Sequence, residues 1–265
     1  MTAAIETIAL TRRFGDFTAV GSIDFSVNPG TIFGLLGPNG AGKSTTIKML
    51  TTLLAPTSGT ATVAGFDIIH SPVEVRKNIG YVPQMLSADG ALTAAENLLL
   101  SARLHGMPGK GRKARIAEAL EFSGLGEAAN KLVRTFSGGM IRRLELAQAM
   151  QHHPAVLFLD EPTIGLDPVA RKAVWERLQA LRHDYSMTIL LTTHDMEEAD
   201  FLCDELAILL EGKISASGSP QQLKDEVGPD ATLDDVFVAY SGGTIQESGN
   251  YRDVRQRRTT LQRLG

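Results

Sequence analysis

The run Leu35-Leu36-Gly37-Pro38-Asn39-Gly40-Ala41-Gly42-Lys43-Ser44-Thr45 decides how the rest of the chain is read. Before it, Gly30 to Leu36 is a short apolar segment between turn residues, which predicts a strand. Thr45 to Leu54 then carries a helical pattern. A strand, a glycine-rich turn and a helix follow in that order. Gly37 and Gly42, with four residues between them and followed by Lys43 and Ser44, fit a phosphate-binding loop. Small residues let successive backbone N–H groups turn inward around phosphate oxygens. The helix that follows aims the positive end of its dipole at the same anion. In this reading Lys43 reaches the β- and γ-phosphates and the Ser44 hydroxyl ligates Mg²⁺.

Further along, Val156 to Leu159, Thr188 to Leu191 and Leu206 to Leu210 are apolar runs separated by helical patterns. Continuous apolarity, without alternation, indicates strands buried on both faces, as in a parallel sheet flanked by helices. The chain up to about Val82 differs, with the β-like pieces Ile5 to Thr11, Ile23 to Val27 and Thr60 to Val63, which predict an antiparallel β region. From about residue 85 to 150 the pattern turns helical. Thr93 and Glu96 form a capping box ahead of Leu98 to Leu104, and Ile116 and Leu120 mark a second amphipathic stretch. Asp167 as N-cap and Pro168 at the first helical position announce a helix with Val174, Leu178 and Leu181 on one face. The expected fold is α/β: a mostly parallel sheet, an N-terminal antiparallel β region and an inserted α-helical subdomain.

With 265 residues, 43% of them hydrophobic, the chain can bury a full core. A net charge of -4 offers no overall basic field, so nucleic acid is not expected as a partner. Cys203 is the single cysteine, which excludes an internal disulfide and suits a reducing cytoplasm. No basic segment followed by an apolar stretch opens the chain, and no apolar run nears the roughly 18 residues that span a bilayer. The sequence is therefore expected neither to cross a membrane nor to be exported. Five arginines between Ser248 and Gly265, against Asp253 alone, make a small basic tail, read as a solvated segment, with contact to anionic lipid as the alternative.

Val156-Leu-Phe-Leu-Asp160-Glu161 delivers two carboxylates to the end of a buried strand, where ligands bind in open parallel sheets. Asp160 is expected to hold Mg²⁺ and Glu161 to polarise an attacking water. Phe136-Ser137-Gly138-Gly139-Met140 opens a helix through Arg142 and Leu144 to Met150, with Ser137 as N-cap and glycines that expose N–H groups. This suits a second phosphate-binding helix end. Gln84 stands at the junction of core and helical insertion, and His194 ends the strand from Ile189 to Thr193.

Together these residues resemble the nucleotide-binding domain of the ABC transporter superfamily, from about Ile5 to Leu223. Gly37 to Thr45, that is Gly37, Pro38, Asn39, Gly40, Ala41, Gly42, Lys43, Ser44 and Thr45, is similar to Walker A. Gln84 is similar to the Q-loop residue, Phe136 to Met140 to the signature, and Val156 to Glu161 to Walker B. Gly165-Leu166-Asp167-Pro168 is similar to the D-loop, and His194 to the switch histidine. The resemblance implies an ATPase with ATP and Mg²⁺ as ligands and a head-to-tail dimer burying two ATP molecules. Ser137, Gly138, Gly139 and Asp167 would contact nucleotide held by the second copy. Gln84 would join Ser44 and Asp160 around the metal, Glu161 and His194 would set up water attack, and Phe14 would stack on adenine. Phe136 and Met140 depart from the commonest signature, which has Leu and Gln there. Neither supplies the N–H groups.

The resemblance also implies a separate polytopic membrane subunit and a peripheral place on the cytoplasmic face of the membrane. Thr135-Phe-Ser-Gly-Gly-Met-Ile-Arg-Arg-Leu and Leu233-Asp-Asp-Val-Phe look most like the daunorubicin-resistance branch of bacterial exporter ATPases. Export of drugs or other hydrophobic compounds is the expectation; an importer ATPase and a soluble regulatory ATPase are the alternatives. The expected organisation is a nucleotide-binding domain over residues 1–225, with the helical subdomain inserted at about 85–150, and a C-terminal extension with its basic tail over 226–265.

Overall fold

The structure, a computed structural model, describes residues 2–241. The basic tail from Ser248 to Gly265 lies outside the described residues. Strands β1 (Ile5–Phe14), β2 (Phe17–Ile23) and β3 (Ser26–Val27) precede β4 (Ile32–Leu36) and helix α1 (Lys43–Leu50). Then come β5 (Ser58–Val63), β6 (Phe66–Asp67), α2 (Pro72–Asn78) and β7 (Ile79–Val82). The helical insertion contains α3 (Ala94–Leu104), α4 (Gly109–Ser123) and α5 (Gly138–Met150). After it the chain alternates: β8 (Val156–Asp160), α6 (Pro168–Tyr185), β9 (Thr188–Thr193), α7 (Met196–Leu202), β10 (Glu205–Leu210) and β11 (Lys213–Gly218). It closes with α8 (Pro220–Val227) and α9 (Leu233–Tyr240).

The six-stranded sheet runs in the order β11-β10-β4-β9-β8-β7, and every pair from β10 to β7 is parallel. Every residue of β4, β8 and β9 is buried, as continuous apolar runs require. Their alternating side chains feed two cores. Ile32, Leu36, Leu157, Leu159, Ile189 and Leu191 pack with Val174, Leu178 and Leu181 of α6. Phe33, Leu35, Phe158 and Leu190 face Ile47 and Leu50 of α1 and the antiparallel sheet's Ile5, Leu10 and Val20. That second sheet, β2-β1-β5-β6 with β3 against β1, is the expected N-terminal β region. The insertion has its own apolar cluster, centred on Leu98, Val133, Phe136 and Leu144.

The fold class agrees with the expectation, and several boundaries move. The helix expected from Thr45 begins at Lys43, because Gly42 at φ 107° turns the chain directly into α1, and it stops at Leu50 rather than Leu54. Ile23 to Val27 is not one strand: β2 ends at Ile23 and β3 begins at Ser26. Ile79–Val82 is a parallel strand at the edge of the large sheet, not a lead-in from the antiparallel region. The boundary expected at 225 falls inside α8, and Leu223 of α8 shares one apolar cluster with Leu233 and Val236 of α9.

Candidate active site

Four parallel neighbours, β4, β9, β8 and β7, end on the same side of the sheet, so the residues that follow them meet there. β4 leads into the loop 37–42, β9 into His194, β8 into Glu161, and β7 into Gln84. Strand topology alone therefore assembles residues up to 157 positions apart in sequence, Gly37 to His194.

The loop is shaped by what its glycines avoid. A Cβ on Gly37 would lie 2.3 Å from the Leu209 carbonyl oxygen, and one on Gly42 would lie 2.5 Å from that of Ala19. Gly40, at φ 83°, faces open space. Pro38, Asn39 and Gly40 are exposed, Ala41 is buried, and Ser44 and Thr45 are half-buried at the start of α1. Lys43 is buried: its Nζ donates to the carbonyls of Gly37 at 2.7 Å and Pro38 at 3.2 Å, and lies 3.2 Å from Glu161 Oε1.

Asp160 and Glu161 are both buried, 3% and 5% exposed. Asp160 Oδ1 accepts from Ser44 Oγ at 2.9 Å and from Thr192 Oγ1 at 2.7 Å, which ties the strand end to the loop. Glu161 takes a left-handed backbone conformation, φ 48°, sparsely populated for a residue with a side chain. Its N–H donates to Thr192, to the carbonyl at 3.1 Å and to Oγ1 at 3.0 Å. Its carboxylate meets Lys43 through Oε1. Oε2 accepts from Gln84 Nε2 at 3.4 Å and stands 3.3 Å from His194 Nδ1. Three residues singled out from the sequence thus converge on a fourth. Beneath them, burial and the negative charge of Asp160 push the Tyr81 hydroxyl up to about 12.

The other candidates stand elsewhere. Ser137 caps α5 by accepting from the Met140 N–H at 3.3 Å, and it is exposed with Gly138. Among the described residues no hydrogen bond or ion pair joins residues 137–139 to residues 37–45. The two glycines have a packing role that the sequence did not reveal. A Cβ on Gly139 would lie 2.7 Å from Ala170 Cβ, and one on Gly138 would lie 3.3 Å from Leu166 Cδ2. Asp167 caps α6, accepting from Val169 N–H at 3.0 Å and Ala170 N–H at 2.9 Å. Phe14 sits at the end of the β1-β2 hairpin, 47% exposed, with the Arg12 guanidinium 4.6 Å from its ring centre.

Sequence reasoning passed over Thr192, whose only signal was a hydroxyl inside an apolar run. It also passed over the supports of the segment after Glu161. Buried Glu198 accepts from Thr163 Oγ1 at 2.6 Å and Trp175 Nε1 at 2.9 Å, and burial raises its pKa above the usual carboxylate range. Arg171 pairs with Asp195 at 2.8 Å, linking α6 to the residue after His194.

A glycine loop between a parallel strand and a helix, with two carboxylates on a neighbouring strand end, defines a phosphate-loop nucleoside triphosphatase. Residues 20–164 match the ABC transporter family, and the chain belongs to it as an ATP-binding and ATP-hydrolysing subunit. It is similar to the daunorubicin/doxorubicin resistance ATP-binding protein DrrA of Streptomyces peucetius, 45% identical over 227 residues, 86% of this chain and 68% of that protein. The Nod factor export ATP-binding protein I of Burkholderia orbicola is 45% identical over 229 residues, 86% of this chain and 75% of that protein. Among solved structures, the dimeric post-hydrolysis state of the ATP-binding cassette MJ0796, bound to ADP and Pi, matches with TM-score 0.72 and 25% identity. It covers 81% of this chain and 98% of that one. ATPase domains of this family work as dimers with membrane subunits. Among the described residues no helix is long and apolar enough to cross a membrane.

Proposed function

We propose that this chain powers an exporter by closing on a second copy of itself around two ATP molecules and reopening after hydrolysis. The observation that carries the reading is the convergence of Lys43, Gln84 and His194 on the buried carboxylate of Glu161. In each half-site residues 37–45 cradle the phosphates, and Phe14 stacks on adenine. Ser137, Gly138, Gly139 and Asp167 approach from the other copy. The exposed end of α5, set apart from its own chain's loop, suits a role toward a partner's nucleotide.

Mg²⁺ fits the donor set, since Ser44 Oγ and Asp160 Oδ1 are hard oxygen donors 2.9 Å apart and the Gln84 amide reaches Glu161, the residue after Asp160. Ser44, Asp160 and Gln84 would hold it. When bound it neutralises charge developing on the transferred phosphoryl group. A γ-phosphate offers Lys43 an anionic partner in place of Glu161. Glu161, so released, takes a proton from the attacking water, and His194 beside it fixes the geometry. Loss of the γ-phosphate removes the contacts that keep the two copies together.

The membrane pathway belongs to a separate polytopic subunit, which places this chain on the cytoplasmic face of the membrane. The names of the relatives, one a drug-resistance protein and one a Nod factor exporter, favour export of drugs or other hydrophobic compounds. The Glu161→Gln variant tests the whole reading. Its ATPase rate should fall about 10²- to 10⁴-fold, and a near-normal rate would reassign the base. Trapped with ATP and Mg²⁺ and purified from detergent-solubilised membranes, it should bring down a polytopic membrane protein. Ribosomes or a soluble partner instead would favour a regulatory ATPase, and uptake measured in inverted vesicles separates exporter from importer.

A further inference from the structure

Arg142 and Glu145 are buried, 1% and 3% exposed, one turn apart on α5. Their ion pair, Nη1 to Oε2 at 3.0 Å, is only part of what they do. Arg142 Nη1 donates to the Pro83 carbonyl at 2.7 Å and Nη2 to the Gln84 carbonyl at 2.9 Å. Glu145 Oε1 accepts from the backbone N–H of Ser87, from Ser87 Oγ at 3.0 Å and from the Ala88 N–H at 3.3 Å. The two side chains therefore grip the main chain on both sides of the segment that carries Gln84.

A buried ion pair is costly to desolvate, and apolar side chains often fill such space as well. What an apolar pair cannot do is satisfy two carbonyls and two N–H groups of a loop that lacks strand or helix partners for them. The grip makes the first turns of α5 and residues 83–88 one mechanical body. One end of that body is Ser137 and the N-terminal amides of α5. The other is Gln84, whose Nε2 is 3.4 Å from Glu161.

We infer that Arg142 and Glu145 are positioning residues, which transmit displacement of the α5 N-terminus to Gln84 and so set the Gln84–Glu161 contact. The inference rests on the roles proposed above for Gln84 and the α5 helix end. A pair that served the fold alone would lower stability and leave the turnover of folded protein unchanged. A positioning pair acts on kcat, because misplacement at the reacting centre is expensive in rate while the phosphate loop still binds ATP.

The experiment is hydrogen exchange by mass spectrometry on full-length Glu161→Gln protein, with and without ATP and Mg²⁺. The measurement is repeated with Glu145→Gln added, beside steady-state ATPase kinetics of Glu145→Gln, Arg142→Gln and Ser137→Ala in an otherwise unchanged chain. ATP should alter exchange at residues 83–88 and 138–142 together in the Glu161→Gln protein. Adding Glu145→Gln should leave the response at 138–142 and abolish it at 83–88. The single variants at 142 and 145 should lose about 10- to 100-fold in kcat with little change in KM. Independent responses of the two segments in the Glu161→Gln protein overturn the inference, and they do so even if the variants at 142 and 145 fail to fold. A wild-type kcat in folded Glu145→Gln overturns it as well. If Ser137→Ala also keeps its full rate, the role given to the α5 helix end fails too. If Ser137→Ala is impaired and Glu145→Gln is not, only the transmission fails.

Discussion

Thr192 Oγ1 donates its proton to Asp160 Oδ1 at 2.7 Å and itself accepts the Glu161 N–H at 3.0 Å. One side chain from β9 thus fixes both carboxylate residues at the end of β8, including the strained φ of 48° at Glu161. Thr192→Val keeps shape and β-propensity and removes both bonds. It should cost about 0.5–1.5 kcal/mol in stability, the net value of an ordinary hydrogen bond, because Asp160 Oδ1 keeps Ser44 and the Glu161 N–H keeps the Thr192 carbonyl. The ATPase rate should fall by about 10-fold or more as Glu161 loses its orientation. Urea unfolding and steady-state kinetics on the same preparation check both, and a stable, fully active variant would mean that the sheet alone holds the two carboxylates.

Lys43 is the only lysine or arginine paired with the Glu161 carboxylate among the ion pairs of the described residues, at 3.2 Å. Lys43→Ala should weaken ATP binding by about 10- to 100-fold, the value of one charge-assisted contact to phosphate. Titration of a fluorescent ATP analogue reads this directly. Full affinity in the variant would count against the assignment of the loop.

The glycines of the α5 N-terminus divide by sterics. A Cβ at 139 meets Ala170 Cβ at 2.7 Å, whereas one at 138 stands 3.3 Å from a flexible Leu166 methyl. Gly139→Ala should therefore destabilise by about 1–3 kcal/mol through overpacking, and Gly138→Ala by clearly less. Adding Ala170→Gly should recover much of the Gly139→Ala loss, because the methyl moves from one side of the contact to the other. Denaturant midpoints of the four proteins decide this, and equal losses at 138 and 139 would refute the packing role.

The parallel core was legible because strands covered on both faces must be apolar at every position, as Val156 to Leu159 and Thr188 to Leu191 are. The phosphate loop was legible because its shape demands glycines at fixed spacing. β7 was not. It has four residues, one of them Gly80, whose Cβ would lie 2.5 Å from the Ala149 carbonyl oxygen; that glycine answers to a helix 69 residues away, not to its neighbours. β11 escaped because an edge strand with exposed Lys213, Ser215 and Ser217 reads as a loop. Arg142 and Glu145 carry no sign of their burial in the sequence, because nothing local distinguishes side chains that reach water from side chains that reach a loop 58 residues earlier.

The same limit applies to His152, which looks like a surface residue at the end of α5. It is half-buried, stacked on His105 with ring centres 3.9 Å apart, and its Nε2 donates to the Ile79 carbonyl at 2.9 Å. Burial, with repulsion from His105, lowers its pKa from 6.5 to about 4. The folded protein therefore binds this proton less readily than the unfolded chain does. The stabilisation is fully present above pH 6.5 and is lost as pH falls towards about 4. His152→Gln retains an N–H donor for Ile79 and cannot titrate. Between pH 6.5 and 4 its urea midpoint should fall less than that of the unaltered protein, and above pH 7 the two curves should run parallel. Identical slopes across the acid window would mean that His152 already takes up a proton in the folded state near its ordinary pKa.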